Sequence, residues 1–209
     1  MDLLRLLFWN CRGAGNNTFK HNLTELVRTH KLEIIILLET KVTFSKIGNF
    51  FNQLGFTAST VVDPVRRMEG IWIVWDPTQV NVRASSANSQ AIRTTIHKED
   101  FEEWVLAAVY ASHNPVLREN LSKDLEAVAR DMEKPWLVAS DFNDYANQGE
   151  RRSYTASHNS VRYQKFLDRV NNCNLIDLGS LGPRMTWTNN RHSLANTMER
   201  LDRAMCNSD

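Results

Sequence analysis

Short apolar runs rich in β-branched and aromatic residues dominate the chain. Leu4–Asn10, Ile34–Glu39, Gly70–Trp75, Ala91–His97, Trp104–Tyr110 and Trp136–Phe142 predict strands. Weaker strand patterns cover Phe56–Val61, Asn81–Ser85, Leu175–Leu178 and Met185–Thr188. Helical spacing shows in four stretches. Lys20–His30 aligns Leu23, Leu26 and Val27, and Ser45–Leu54 aligns Ile47, Phe50, Phe51 and Leu54. Leu117–Met132 aligns Leu121, Leu125, Val128 and Met132, and Val161–Asn172 aligns Phe166, Leu167 and Val170. Thr18 and Ser160 stand where helix N-caps are expected. Strands outnumber helices, so the expected class is α+β, with two sheets face to face and helices outside.

Length and composition narrow this picture. The 209 residues contain no Pro-rich linker, repeat or low-complexity run, and one domain over residues 1–209 is expected. Lys+Arg 25 against Asp+Glu 24 excludes a strongly basic coat protein, but a nuclease needs only a local basic surface. Cys11, Cys173 and Cys206 lack metal-type spacing, and their odd number argues against a disulfide framework. A reducing compartment, nuclear or cytoplasmic, is expected. The longest apolar stretch, Ile34–Leu38, is far short of a membrane span. The first ten residues read as a strand rather than a signal peptide.

Several predicted strands end in chemically similar polar residues. Asn10 ends one, Glu39 another and Asp141 a third, with Asn143 two residues beyond Asp141. Tyr110 ends a fourth, near Asn114. If the strand continued past Asp141, Asp141 and Asn143 would share a face. Carboxylates, amides and a phenol are hard oxygen donors suited to Mg²⁺ or Mn²⁺ beside a phosphate. Such a cation would stabilise charge on a leaving oxygen, and Asp141 could orient or deprotonate water. Each residue also has an ordinary reading. Strand-end Asp and Asn cap turns, Glu39 could be a solvated terminus, and Tyr110 could be a core phenol.

Taken in order, the segments Trp9-Asn10-Cys11-Arg12-Gly13, Leu38-Glu39-Thr40-Lys41, Gly70-Ile71-Trp72, Val109-Tyr110-Ala111-Ser112 and Ser140-Asp141-Phe142-Asn143 form a set. Gly182-Pro183-Arg184-Met185-Thr186-Trp187-Thr188-Asn189 and Glu199-Arg200-Leu201-Asp202-Arg203 complete it. The set resembles the endonuclease/exonuclease/phosphatase superfamily with its deoxyribonuclease I-like fold. It is most similar to the endonuclease domains of plant non-LTR (LINE-type) retrotransposons.

The resemblance implies a four-layer αββα sandwich and a Mg²⁺- or Mn²⁺-dependent endonuclease. The enzyme would nick DNA, and in an intact element it would serve an attached reverse transcriptase domain. Glu39 matches the main metal ligand and Asn10 a second metal-site residue. Tyr110 and Asn143 match contacts to the scissile phosphate, and Asp141 the residue that activates the nucleophile. Thr186 and Trp187 match a DNA-contacting loop. Asp202 matches the aspartate that orients a catalytic histidine.

That histidine belongs to a Ser-Asp-His motif a few tens of residues beyond the Leu-Asp segment. Here Ser208-Asp209 follows Asp202 by only seven residues. The expectation is therefore a domain truncated before its last strand, with activity reduced or lost. His21, His30, His97, His113, His158 and His192 are not expected to replace the missing residue. Glu69-Gly70 stands where relatives have Gly-Gly, which could strain a turn, and Leu38 where many have Gln.

A DNA-facing surface is expected from Arg151 and Arg152, with Arg162 and Lys165 nearby, and from Asn189 and Arg191 beside Trp187. An ordinary solvated loop is the competing reading, and Arg66-Arg67 could be either. Two other functions remain open: an inactive remnant that binds nucleic acid or protein, and a phosphatase of the same superfamily.

Overall fold

A computed structural model describes residues 3–65, 69–154 and 160–208, Ser160 by its backbone alone. Arg66-Arg67, His158, Asp209 and the expected Ser160 cap fall outside the described residues or side chains. The described residues form a mixed α/β structure with two large sheets flanked by helices. The chain divides into two compact units, Met1–Tyr110 and Ala111–Asp209.

The first unit contains β1 (Leu6–Asn10), α1 (Asn17–His30), β2 (Ile34–Leu38), α2 (Gly48–Gln53), β3 (Ala58–Val62) and β4 (Ile71–Trp75). A hairpin series follows: β5 (Asn81–Ala87), β6 (Ala91–His97) and β7 (Trp104–Tyr110). One sheet has the order β1-β2-β4-β3, with β1 parallel to β2 and the other pairs antiparallel. A parallel pair needs a long crossover, which α1 supplies. β5, β6 and β7 pair antiparallel, with a bulge between Ala84 and Ser86.

Burial explains why these strands were legible. Ile34–Leu38 and Ile71–Val74 are fully buried, so both faces are apolar and the runs are continuous. Ile35, Leu37, Trp72 and Val74 pack with Phe19 and Leu23 of α1 and with Phe51 of α2. β3 and β4 lie against β5 and β6. Phe44 stacks on Phe51 and meets Trp72 edge-on at 5.2 Å.

Two local expectations change here. Asn16, not Thr18, caps α1, accepting Phe19 N–H at 2.7 Å; an amide at this position satisfies an otherwise orphaned donor. The helix expected over Ser45–Leu54 is split into a 3₁₀ turn, Phe44–Lys46, and the short α2.

The second unit contains α3 (Pro115–Arg130), β8 (Trp136–Asp141), β9 (Arg151–Ser153), α4 (Ser160–Asn172), β10 (Ile176–Asp177), β11 (Trp187–Thr188), β12 (Thr197–Glu199) and β13 (Asp202–Cys206). β13 pairs antiparallel with β8 on one side and β10 on the other, and β12 lies between β11 and β9. Asn114 caps α3 with Pro115 in its first turn, a favoured start. β9, β12 and β13 lack an apolar signature. At the inward positions of β13 sit Arg203 and Met205, so a buried arginine interrupts the expected alternation.

That arginine is neutralised. Arg203 donates to Glu150 and Asp177, and Arg200 reaches both at 3.0 and 2.8 Å. No helix among the described residues is long and apolar enough to cross a membrane. Cys11, Cys173 and Cys206 are free, and burial pushes the Cys11 and Cys173 thiols up to about 11.

Candidate active site

In the first unit, three strand ends converge on one carboxylate. Asn10 closes β1, Glu39 follows β2 and Tyr110 closes β7. Asn10 Nδ2 donates to Glu39 Oε1 at 2.7 Å, and Tyr110 OH donates to the same oxygen at 3.3 Å. The Glu39 side chain is 12% exposed, so the solvated-terminus reading fails. Lys41 Nζ stands 3.1 Å from Glu39 Oε2 and 3.3 Å from Glu69 Oε2. A backbone bond from Lys41 N–H to the Glu69 carbonyl, 3.3 Å, sets the two residues side by side. Tyr110 is buried and its phenol is committed to the site rather than to the apolar core alone.

Burial pushes the Glu39 carboxyl up. Its hydrogen bonds to Asn10 and Glu69 and its contact with Lys41 outweigh that, holding it below the usual carboxylate range. Burial and the neighbouring Glu39 push Glu69 up despite Lys41. Burial lowers Lys41, but its two carboxylates prevail and raise it. Glu39 is therefore anionic at neutral pH.

The backbone here is strained. Glu39 (φ 52), Lys41 (φ 57) and nearby Arg12 (φ 51) all sit in the left-handed region, which β-carbons disfavour. Such residues cost about 1–3 kcal/mol each and gather at functional sites. Glu69 is not among the positive-φ residues; Gly70 is, at φ 78, and a Cβ there would meet Thr40 Oγ1 at 2.3 Å. The turn thus needs glycine only at position 70, and Glu69 brings no such strain.

The second unit holds the other expected residues. Asp141 ends β8 and is buried. The strand ends at Asp141, so the condition for alternation out to Asn143 is not met. Asn143 turns to φ 48, its N–H donates to Asp141 Oδ1 at 2.9 Å, and its amide donates to the Ala111 carbonyl at 2.7 Å. Asp202 is the register partner of Asp141 across β13 and β8, which puts both carboxylates on one face of the pair. Thr186 Oγ1 accepts from Leu201 N and Asp202 N at 3.0 and 3.1 Å, tying its loop to β13.

Of the expected DNA-facing groups, Trp187 is half-buried in β11, and Arg152 and Arg191 are exposed. Arg151 Nε instead pairs with Glu199 at 3.0 Å and lies over Tyr145. The Asn189 side chain holds its own loop through Arg191 N, Thr197 N and the Ala195 carbonyl. Sequence reading missed the role of Lys41, although Lys41 stands in the Glu39 segment. It also missed Asp144, buried between Arg118 at 3.3 Å and Arg162.

The profile of the Endonuclease/Exonuclease/phosphatase family matches residues 7–209, nearly the whole chain. The chain belongs to the endonuclease/exonuclease/phosphatase family. No curated protein matches the sequence. Solved structures that resemble this family member include the endonuclease domain of TRAS1, a telomere-specific non-LTR retrotransposon. At 15% identity and TM-score 0.70, the match covers 99% of this chain and 86% of that one. The AP endonuclease LMAP from Leishmania major matches at 14% identity and TM-score 0.70, covering 98% and 79%. The 3′ phosphatase NExo from Neisseria, bound to a product DNA hairpin, matches at 16% and TM-score 0.68, covering 99% and 87%. At these identities the likeness establishes the fold, a deoxyribonuclease I-like one.

Among the described residues no group of three or more His, Cys, Asp or Glu is arranged to hold a metal ion. A hard divalent cation does not require one, because Mg²⁺ keeps several waters and takes one or two carboxylates. The anionic Glu39, the Asn10 amide and nearby Glu69 are a donor set that fits such a cation.

Proposed function

We propose that this family member is a divalent-metal-dependent phosphodiesterase that nicks DNA in the manner of a LINE-type retrotransposon endonuclease domain, with residues 1–209 as one catalytic domain. The observation that carries the reading is Glu39: a nearly buried, anionic carboxylate served by Asn10 and Tyr110 on strained backbone. Glu39 and Asn10 would hold Mg²⁺ or Mn²⁺. When bound, such a cation supplies Lewis-acid stabilisation of charge on the leaving oxygen.

The chain's own residues do the rest. Asp141 accepts a proton from the attacking water, and its fixed bond from Asn143 N–H keeps one oxygen oriented. Tyr110, turning its one hydroxyl proton from Glu39, and the second amide hydrogen of Asn143 donate to phosphate oxygens. Asp202 is a positioning residue opposite Asp141. Trp187, Arg152 and Arg191 supply an aromatic face and cations to DNA, with Thr186 holding the loop and Arg151 and Asn189 supporting the surface. The partners are DNA and, in an intact element, a reverse transcriptase domain; the setting is nuclear or cytoplasmic.

One observation favours a second reading, a remnant that binds nucleic acid or protein without cutting: the Tyr110 hydroxyl and the Asn143 amide already donate within the protein, to Glu39 and to the Ala111 carbonyl. Nicking of supercoiled plasmid with Mg²⁺ or Mn²⁺, against EDTA, separates the two. The enzyme reading expects metal-dependent open circles that vanish in Glu39→Ala and Asp141→Ala and shift in cut position in Trp187→Ala. Nicking retained by either carboxylate variant overturns it. A folded protein that never nicks favours the remnant.

A further inference from the structure

Lys41 occupies an unusual place. Its ammonium lies between two carboxylates, 3.1 Å from Glu39 and 3.3 Å from Glu69, and touches the Glu39 oxygen that Asn10 and Tyr110 leave open. The two carboxylates share that one ammonium. Two such groups side by side repel unless a cation stands between them, and here the chain provides its own. The arrangement is held from the backbone: the bond from Lys41 N–H to the Glu69 carbonyl pairs the segments, and the Gly70 turn closes against Thr40.

We propose that the Lys41 ammonium is a resident counter-ion at the cation site, which an incoming divalent cation displaces, and that Glu69 then joins Glu39 as a second carboxylate for that cation. The inference rests on reading Glu39 as a metal ligand. An ammonium sits about 3 Å from its oxygens, whereas Mg²⁺ binds at about 2.0–2.1 Å and carries waters. Both cannot fill the same gap. The Lys41 side chain is 47% exposed on a flexible stem, so it has room to leave. Displacement makes the apparent metal affinity a competition. With no divalent cation bound, the ammonium offsets one of the two carboxylate charges, and the site binds a divalent cation more weakly than its carboxylates alone would.

Mn²⁺ binding without DNA, followed by the electron paramagnetic resonance of free Mn²⁺ and by calorimetry, tests this. Lys41→Met should tighten Mn²⁺ about tenfold, Lys41→Arg should stay near wild type, and Glu69→Gln should weaken it about tenfold. Glu39→Gln should abolish it. Circular dichroism of each variant reports folding. Unchanged or weaker binding in Lys41→Met overturns the counter-ion role, and unchanged binding in Glu69→Gln overturns the second carboxylate. If wild type binds and only Glu39→Gln fails, the metal reading stands and this inference falls. If no variant binds, both fall. Binding in the expected order without plasmid nicking upholds the inference and removes the nuclease reading.

Discussion

Glu39 and Glu150 are both carboxylates withdrawn from water, with side chains 12% and 5% exposed, and they are neutralised in contrasting ways. Glu150 accepts the Ala146 N–H at 2.6 Å and meets Arg200 and Arg203, whose side chains are 11% and 1% exposed. Asp177 completes that group, so two carboxylates face two guanidiniums, with Asp177 and Arg203 carried on the paired strands β10 and β13. Glu39 instead takes neutral donors from Asn10 and Tyr110, and its one full counter-charge rides on exposed Lys41. A carboxylate matched by buried, forked cations is committed to holding strands together. A carboxylate whose counter-charge can swing away is exchangeable, and its strained backbone is a cost that packing alone does not explain.

The largest expected effect breaks the matched group. Glu150→Gln should lower stability by about 3–5 kcal/mol in chemical denaturation, because it leaves buried guanidiniums undercompensated. Glu39→Gln should cost less than about 1.5 kcal/mol while removing metal binding. Equal losses in the two variants would erase the distinction.

Acid sharpens the contrast next. Burial raises Glu150, but the Arg203 bond and the Ala146 N–H more than offset it, and its pKa is lowered. Asp177 is likewise pushed up by burial and brought down further by Arg200. A lowered folded-state pKa stabilises above the unfolded values of about 4.3 and 3.9, and that stabilisation is lost as pH falls through the folded values. The denaturation midpoint should therefore drop as pH falls below about 5 in wild type and drop less steeply in Glu150→Gln. Parallel curves would assign the acid sensitivity elsewhere.

A smaller effect is expected at Gly70→Ala, about 1–3 kcal/mol, from the positive φ and the contact with Thr40. The added Cβ also pushes on the residue next to Glu39. Weakened Mn²⁺ binding alongside the stability loss would tie the turn to the site; unaltered binding would confine it to the fold.

What could be read beforehand follows the same division. β2, β4 and β7 announce themselves because their buried residues are apolar, β6 because Ile92 and Ile96 alternate with polar neighbours, and Asn10, Glu39 and Tyr110 because each stands at the end of an apolar run. β13 was missed because its inward Arg203 looks like a surface residue until Glu150 and Asp177, far away in sequence, are seen to neutralise it. β9, Arg151–Ser153, has no apolar residue at all and exists through its pairing with β12. Lys41 and Glu69 were visible as letters, but their meeting depends on a backbone bond across 28 positions, which no local pattern encodes. Whether the strand would run on from Asp141 to Asn143 was not legible, because the bonds that hold Asn143 go to Asp141 and to the distant Ala111 carbonyl.

Among the described residues, β1 lies at the end of the sheet order β1-β2-β4-β3 and is fastened along one side only, to β2. Its last residue is Asn10, and the residue after β2 is Glu39. Anything that grips both side chains therefore rivets a marginal strand to its neighbour. Occupancy of the site would be recorded as slowed amide hydrogen exchange along Leu6–Asn10, while β4, already bonded on both sides, would register little.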